Sequence, residues 1–448
     1  MRTQFWFLAI ASMLLLVAPV RLGDLAGYDD AVYAHIAQAI VHTGDWVNIQ
    51  SNGFPALEHP PGFVWMQAAL FSLFGFSDFL AKLPSALCGV GTVLLVFWLA
   101  RRVLKDERAA VLAMLVMLAT PYFIKYTSHG MTDVPFTFLF TAAICSWLKA
   151  EDDDRWYGVV SALTAYALLT RGVVGLVVPA TLVLHRSSAW KGWLAIAAAF
   201  VPVGAWYAHL HEMYGGFFWQ VQSNFLRDKL SGGMEGVRRF TGLFEYAWML
   251  AQSYWPWLPF LLGGLWATRR NPRLKLLFLW SGVMCLACSV GGSRVLRYLL
   301  PAYPAFSIFA AVGLMKWVPE RYLNAGLRWL PPAAVAIGAG IAIFPPVSLH
   351  AEEIKLIASA VHSVTAESER FAFYDEGQSR FDETGQIQWY GDRTMWILTD
   401  KQAFENALAE PISKVWVVDA ATYDLYFAAR LDAKVVARSG HLLCVRLS

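Results

Sequence analysis

The fold is decided by FWFLAIASMLLLVAPV at Phe5–Val20, which is followed at Gly27–Ile40 by GYDDAVYAHIAQAI. The first run is apolar throughout, lies behind Arg2 and has no small-residue cleavage site after it, so we expect a retained membrane helix. The second run places Asp29 and Asp30 directly after that helix. Carboxylates so close to a bilayer are costly, and they therefore indicate a functional site.

The composition is that of a membrane protein. Of the 448 residues, 57% are hydrophobic, 15% are charged, and 20 are Trp. Soluble domains carry about a quarter charged residues. The net charge of +3 gives no support for binding to nucleic acid. The five cysteines are scattered and mostly apolar in context, which indicates neither a disulfide framework nor a zinc site.

Apolar segments recur along the chain and predict about eleven membrane spans. Basic clusters lie in four of the connections, and the positive-inside rule assigns these four to the cytoplasm. Residues 62–76 would reverse this pattern if they crossed the membrane, so we expect them to be interfacial or re-entrant. The basic connections are RRVLKDER (101–108), HRSSAWK (185–191), ATRRNPRLK (267–275) and KWVPERYLNAGLR (316–328).

This orientation puts two long connections, 24–79 and 209–243, on the outer face together with everything after His350. The last hundred residues alternate short apolar runs such as FAFYD (371–375) with the helical KQAFENALAE (401–410). This pattern predicts a small soluble α/β domain. We therefore expect an α-helical polytopic membrane domain at 1–348 and an extracytoplasmic α/β domain at 349–448.

The order of motifs resembles the lipid-linked glycosyltransferases of the GT-C fold, and most nearly the bacterial aminoarabinose transferase and protein mannosyltransferase superfamily. In that family an acidic pair is followed by a GDW-type turn, a Glu-Lys-Pro-Pro motif and an Ala-Arg-Leu-Pro-Ser stretch. The resemblance runs in order to about residue 320. The corresponding residues are Asp29–Asp30, Gly44–Trp46, Glu58–Pro61 and Ala81–Ser85, with further matches at Asp133, Arg171, Asn224, Arg227, Arg294, Arg297 and Tyr298.

The resemblance implies transfer of a sugar from a polyprenyl phosphate to an acceptor, by direct displacement with inversion. Such a transfer needs a base near the acceptor hydroxyl, and an outward carboxylate suits this role. We expect Asp29 to be the base, with Asp133 and Asp30 as further catalytic candidates. Arginine binds two phosphate oxygens at once, which suits it to the leaving phosphate. The candidates for binding the donor phosphate are Arg171, Arg227, Arg294, Arg297, Tyr298 and His59.

Several of these residues have a structural alternative. His59 replaces the family's Lys and caps a proline turn equally well, which puts phosphate binding at that position in doubt. Asp133 suits the N-cap of a helix, and Asp30 suits the cap of the helix beginning AVYAHIA. A divalent metal is an option, with Asp29 and Asp133 as ligands, but no residue spacing demands it. Outer-loop aromatic residues such as Trp46, Trp206, Tyr207, Phe217, Phe218 and Trp219 fit either an interfacial belt or a groove for the isoprenoid tail.

We therefore expect a hexosyl- or pentosyltransferase of the bacterial inner membrane, with its active site on the periplasmic face. The expected partners are a polyprenyl-phosphate sugar, a lipid A-like glycolipid, polysaccharide or protein acceptor, and membrane lipids. A transporter or lipid flippase is the main rival. It would place ionisable residues in mid-membrane, where the predicted spans have few. An inactive scaffold is a second alternative, because His59 departs from the family.

Overall fold

The computed structural model describes residues 1–25, 27–185, 190–231, 242–291, 295–344, 351–376 and 381–448. The chain forms two compact units. The helical unit comprises Met1–Leu22, Leu57–Phe63 and Lys82–Pro346. The mixed unit comprises Gly23–Ala56, Val64–Ala81 and Val347–Ser448.

Helices dominate the described chain. Short 3-10 helices cover Ala18–Arg21, Gly172–Leu176, Pro272–Leu274 and Leu296–Ala302. The α-helices are α1 Arg2–Val17, α2 Gly27–Thr43, α3 Gly62–Phe74, α4 Asp78–Leu104, α5 Glu107–Leu118, α6 Pro121–Thr127, α7 Asp133–Lys149, α8 Trp156–Arg171, α9 Val177–His185, α10 Trp190–Ser231, α11 Gly242–Ser253, α12 Leu258–Thr268, α13 Lys275–Val290, α14 Tyr303–Trp317, α15 Glu320–Ile343, α16 Glu352–Val364, α17 Phe381–Gly391, α18 Lys401–Ala409 and α19 Ala420–Tyr426.

Membrane-spanning helices make up most of the helical unit. Among the described residues, seven stretches are long and apolar enough to cross a membrane, or eight if α5 and α6, bent by 62°, count as one span. The expected number of about eleven stays a prediction. The seven are Arg2–Arg21, Asp78–Leu104, Trp156–His185, Trp190–Leu230, Pro272–Val290, Leu296–Trp317 and Glu320–Ile343.

Two segments of the chain differ from simple spans. Helix α3 has 13 residues, a length of about 20 Å that is too short for a hydrocarbon core of about 30 Å. This length agrees with the interfacial or re-entrant segment expected there. The connection after residue 209 is helical as far as Ser231, because α10 continues through a kink at Gly215, where φ is 55°.

A sharp turn separates α8 from α9. Gly172 adopts φ 55° and ψ −129°, a backbone conformation that glycine adopts far more readily than residues with a Cβ. The 3-10 helix that follows folds back on α8, since a Cβ added at Gly175 would lie 2.8 Å from Leu168 Cα. This turn fixes the place of Arg171, the last residue of α8.

The mixed unit joins the first connection of the chain to its C-terminal residues. Buried apolar residues of α2, among them Ala34 and Ile36, form one core with Phe71 of α3 and Trp389 of α17. Between α2 and α3 lies an antiparallel hairpin, β1 Gln50–Ser51 and β2 Phe54–Pro55. Residues 23–56 and 64–81 therefore belong to the same compact unit as the C-terminal segment, whereas the sequence analysis divides the chain at residue 348.

The C-terminal segment is the small α/β fold expected from the sequence. Its sheet has the order β4-β3-β5-β7-β6, with β3 parallel to β4 and β5, and β7 antiparallel to β5 and β6. Alternate residues of β3 enter two cores, Phe373 with Ile357 of α16 on one face and Tyr374 with Phe404 of α18 on the other. The strands are β3 Phe371–Tyr374, β4 Met395–Leu398, β5 Val415–Asp419, β6 Ala433–Ser439 and β7 Leu442–Leu447.

Candidate functional site

A cluster of charges in the helical unit brings together three of the residues named from the sequence. The Asp133 side chain is only 2% exposed, and its Oδ1 forms an ion pair with Arg171 Nη2. Arg297 Nε lies 3.8 Å from Asp133 Oδ2. Thr132 adds a further contact, since its hydroxyl accepts a hydrogen bond of 2.9 Å from Arg171 Nη1. Two guanidinium groups thus face one carboxylate in the part of the chain that the structure describes.

Helix ends position these side chains. Asp133 is the first residue of α7 and Arg171 is the last of α8, while Arg297 lies in the 3-10 helix Leu296–Ala302. An acid at a helix N-terminus and a base at a C-terminus both interact favourably with the helix dipoles. The N-cap of α7 is Thr132, and it makes no side-chain cap. Asp133 is therefore the first residue of the helix and not its N-cap, and its carboxylate faces the arginines.

Tyr298 lies between the two arginines. Its ring centroid is 5.3 Å from Arg171 Cζ and 5.8 Å from Arg297 Cζ. These distances allow cation–π attraction between the ring and each guanidinium group. This attraction helps to hold both arginine side chains in place. Among the described residues, Arg171 Nε is buried without a hydrogen-bond partner. The cluster therefore contains a buried N–H donor without an acceptor among the described residues.

The Glu-His-Pro-Pro stretch packs beside the same turn. A Cβ added at Gly172 would lie 3.3 Å from Pro60 Cγ, and one added at Gly62 would lie 2.7 Å from Thr170 Oγ1. The Tyr166 hydroxyl donates a 2.7 Å hydrogen bond to Gly62 O. Close packing at two glycines thus holds residues 60–62 against the end of α8.

A polar cavity adjoins this stretch. It has a volume of about 350 Å³ and is lined by Glu58 and by residues of α10. His59 lies against the same helix, with its ring centroid 6.1 Å from that of Phe225. The lining residues from α10 are Val221, Asn224, Phe225, Asp228 and Lys229.

Sequence reasoning missed some residues around this cavity. It named Asn224 and Arg227 from the same motif, but Arg227 is exposed and does not line the cavity. Phe225, Asp228 and Lys229 follow Asn224 at one, four and five residues, a spacing that places them on one face of a helix. Treating 209–240 as a connection concealed that periodicity. Arg294 lies outside the described residues, so its expected role stays a prediction.

The acidic pair lies in the mixed unit, in the first turn of α2. Asp30 is buried, with 1% exposure, whereas Asp29 is half-buried. The helix begins at Gly27, three residues before Asp30, so the expectation that Asp30 caps it is wrong. Asp29 is the more accessible carboxylate of the two.

Further along α2, His35 is a buried titratable group. Its Nε2 accepts a 3.3 Å hydrogen bond from Asn52 N in the β1–β2 turn. Burial lowers the pKa of His35 from 6.5 to about 4, against a smaller opposing effect of Gln38. The imidazole is therefore neutral at physiological pH and acts as an acceptor for the hairpin.

Aromatic side chains cluster near the kink of α10. Tyr207 and Trp219 stack with centroids 6.4 Å apart, and Trp206 and Phe218 pack edge-on or tilted against them. Trp219 Nε1 donates a 3.1 Å hydrogen bond to His211 Nδ1. Trp206, Tyr207, Phe218 and Trp219 are thus one group in the helical unit, while Trp46 belongs to the mixed unit.

The described residues were compared with the side-chain groupings that bind metal ions. In the part of the chain that the structure describes, no three His, Cys, Asp or Glu side chains come together as a metal site. Asp133 already binds two arginines. The option of a divalent metal held by Asp29 and Asp133 stays a prediction.

Comparison with known proteins agrees with this architecture. The family described as dolichyl-phosphate-mannose-protein mannosyltransferase matches residues 58–207. The undecaprenyl phosphate-alpha-4-amino-4-deoxy-L-arabinose arabinosyl transferase of Edwardsiella ictaluri is 26% identical over 369 residues, covering 75% of this chain and 64% of the relative. The enzyme of the same name from Pectobacterium carotovorum is 26% identical over 390 residues, covering 78% of this chain and 67% of the relative. The chain thus spans about two thirds of the length of these relatives.

A solved structure shows the same fold. The crystal structure of ArnT from Cupriavidus metallidurans bound to undecaprenyl phosphate superposes with a TM-score of 0.75. It is 20% identical in sequence, and the match covers 98% of this chain and 97% of that one. The many apolar helices and these relatives make the chain an integral membrane protein. In sequence and in fold the chain is thus similar to the GT-C superfamily that contains the aminoarabinose transferases and the protein mannosyltransferases.

Proposed function

We propose that this protein is a glycosyltransferase of the bacterial inner membrane that moves a sugar from a polyprenyl-phosphate donor to an acceptor at the periplasmic face. The relatives named as arabinosyl transferases support the donor class, and so does the fold shared with a protein crystallised with undecaprenyl phosphate. The acceptor class comprises lipid A-like glycolipids, polysaccharides and proteins.

The observation that carries the proposal is the pair of arginines that meets at Asp133. Arg171 and Arg297 both face this one carboxylate, and Arg171 keeps a buried Nε–H without a partner among the described residues. A lipid phosphate that leaves the sugar gains negative charge. Preorganised arginines stabilise such developing charge more than they stabilise the bound donor, and this difference lowers the barrier.

Asp133 acts as the positioning partner of these arginines. Buried guanidinium groups without a counter-charge are strongly destabilising. A carboxylate that binds both of them holds their planar faces toward Tyr298. Because its two oxygens face the arginines, we assign Asp133 this positioning task and not that of the base.

Asp29 acts as the general base for the acceptor hydroxyl. It is the half-buried member of the acidic pair, and a base must reach the proton that it removes. The hydroxyl oxygen bonds to the anomeric carbon while the bond from that carbon to the phosphate oxygen breaks. The proton passes to Asp29 and the electron pair leaves with the phosphate, so one displacement inverts the anomeric centre.

His59 stands where the motif of the family that the sequence resembles has Lys. A neutral imidazole donates one hydrogen bond, whereas a protonated one adds a cation. We assign His59 an auxiliary role in donor binding beside Glu58 and the α10 cavity. Arg227 and Arg294 stay candidates for the same phosphate.

Mass spectrometry of lipids and glycans tests the function. Cells would express the wild type, Asp29→Asn, Asp424→Asn or an empty vector, with protein levels matched and a polyprenyl-linked sugar supplied. Asp424 is exposed on α19 and serves as the matched control. A sugar-sized mass increment with the wild type and Asp424→Asn, but not with Asp29→Asn, is expected. No increment in any sample, with folded protein present, would contradict the proposal.

A further inference from the structure

The start of α2 is held by the C-terminal segment within the mixed unit. Leu25, two residues before the helix, is bound through both of its backbone groups. Its N–H donates a 3.0 Å hydrogen bond to the Tyr390 hydroxyl, and its carbonyl accepts one of 2.7 Å from Gln386 Nε2. Both partners lie on α17, so this helix fixes the backbone that leads to Asp29.

The same hydroxyl is tied to a second part of the first connection. Tyr390 donates a 3.0 Å hydrogen bond to Asp78 Oδ2, where α4 begins. Trp389 Nε1 donates one of 2.7 Å to Asp78 Oδ1. A single phenol oxygen thus accepts from Leu25 and donates to Asp78, and it bridges the two ends of the segment that carries α2 and α3.

The phenol keeps its proton in this position. Burial is the largest cause that raises the pKa of Tyr390, and the charge of Asp78 raises it further. The hydroxyl therefore stays a donor across the physiological range. The neutral hydroxyl both accepts and donates a hydrogen bond, and phenylalanine can do neither with its side chain.

A second anchor lies one residue earlier. The Asp24 carboxylate accepts a 2.6 Å hydrogen bond from Ala351 N, just before α16, and forms an ion pair with Lys355. Lys355 Nζ also lies 3.7 Å from Asp78 Oδ2 and 4.8 Å from the Tyr390 ring centroid. Asp24 and Leu25 are therefore both bound to the C-terminal segment, directly before the acidic helix.

We propose that Tyr390 is a positioning residue, which holds the start of α2 and thereby sets the place of Asp29. The proposal rests on the proposed function of Asp29 as the base. It assigns the C-terminal segment the task of ordering the acidic helix. Errors of about 1 Å in the placement of a reacting group cost up to about a hundredfold in rate, which is why such an anchor matters.

The test compares Tyr390→Phe with Tyr426→Phe in the full-length purified protein. The Tyr426 hydroxyl donates a 2.8 Å hydrogen bond to Glu405 in the same segment, so the control loses an equivalent bond to a carboxylate. Four quantities are measured: kcat and KM for transfer, hydrogen–deuterium exchange of residues 24–34, and the thermal midpoint. Gln386→Met is a second variant, which removes the other bond to Leu25.

We expect Tyr390→Phe to lower kcat about tenfold or more with KM changed less than about twofold. Exchange of residues 24–34 should quicken, and the thermal midpoint should stay close to that of the wild type. Tyr426→Phe should leave kcat and this exchange unchanged. Gln386→Met should act in the same direction as Tyr390→Phe.

The two readouts separate this inference from the proposed function. Absence of transfer by the wild type would overturn the proposed function, while faster exchange at 24–34 in Tyr390→Phe would still support the anchor. Unchanged exchange in both Tyr390→Phe and Gln386→Met overturns the anchor. Faster exchange with an unchanged kcat in an active enzyme also overturns it, because the start of α2 would then not set the place of the base.

Discussion

Asp133 and Asp29 each lie in the first turn of a helix, α7 and α2, yet their surroundings differ. Asp133 is buried and bound by Arg171, with Arg297 close by. Asp29 is half-buried and lies at the end of α2 that α17 holds in place. In the proposed mechanism, the same residue type in the first turn of a helix has two different tasks. A carboxylate neutralised by cations organises charge, whereas an accessible carboxylate can accept a proton.

Replacing Asp29 gives the largest expected effect on activity. Loss of a general base lowers the rate by about 10²–10⁴-fold, so Asp29→Asn should nearly abolish transfer while the thermal midpoint changes little. Initial rates with purified protein and a polyprenyl-phosphate sugar measure this. If Asp29→Asn keeps more than a tenth of the wild-type rate, the division of tasks between Asp29 and Asp133 fails.

Replacing Arg171 should damage both stability and activity. Arg171→Met leaves the buried Asp133 carboxylate with less compensation, and breaking a buried ion pair costs about 3–5 kcal/mol. The thermal midpoint in detergent or nanodiscs should fall, and transfer should be lost. The double variant Asp133→Asn, Arg171→Met should recover part of the midpoint but not the activity. Recovery of activity in the double variant would show that the arginine is structural only.

Lowering the pH should destabilise the mixed unit through protonation of His35. Its pKa is lowered from 6.5 to about 4 by burial. Between about pH 4 and pH 6.5, His35 is therefore protonated in the unfolded chain and neutral in the folded chain. The contribution of His35 to the free energy of unfolding is fully present above pH 6.5. It falls by about 3 kcal/mol as the pH falls toward 4.

Thermal midpoints recorded from pH 7 to pH 4 measure this loss. His35→Gln cannot titrate, and its midpoint should vary less with pH than that of the wild type. Parallel curves for the two proteins would refute the prediction.

The smallest expected effect concerns the turn after Arg171. Gly172→Ala forces a Cβ onto a backbone at φ 55°, ψ −129° and toward Pro60 Cγ at 3.3 Å. Such strain costs about 1–3 kcal/mol. The thermal midpoint should fall by a few degrees, and KM for the donor should rise because Arg171 moves. Gly158→Ala, in a helical position with open space around it, is the control; it should leave KM unchanged and should not lower the midpoint, because Ala favours a helix more than Gly does.

Much of the fold was accessible from the sequence. Long apolar runs predict helices wherever they occur, since a bilayer leaves the backbone no other way to satisfy its hydrogen bonds. The structure confirms the polytopic helical class and the α/β tail, where FAFYD and KQAFENALAE became β3 and α18. Motifs in family order also named Asp133, Arg171, Arg297 and Tyr298, which the structure brings into one cluster.

The sequence by itself determined the membrane character, the positions of most helices and the chemical types at the candidate site, because these follow from local composition and spacing. Only the tertiary structure decided which partners these residues meet. Asp133 binds an arginine from another helix and lies beside one from a 3-10 helix far along the chain. The first connection shares its core with residues near the C-terminus. Such pairings arise from burial of apolar faces and neutralisation of buried charge between segments distant in sequence, which no local periodicity encodes.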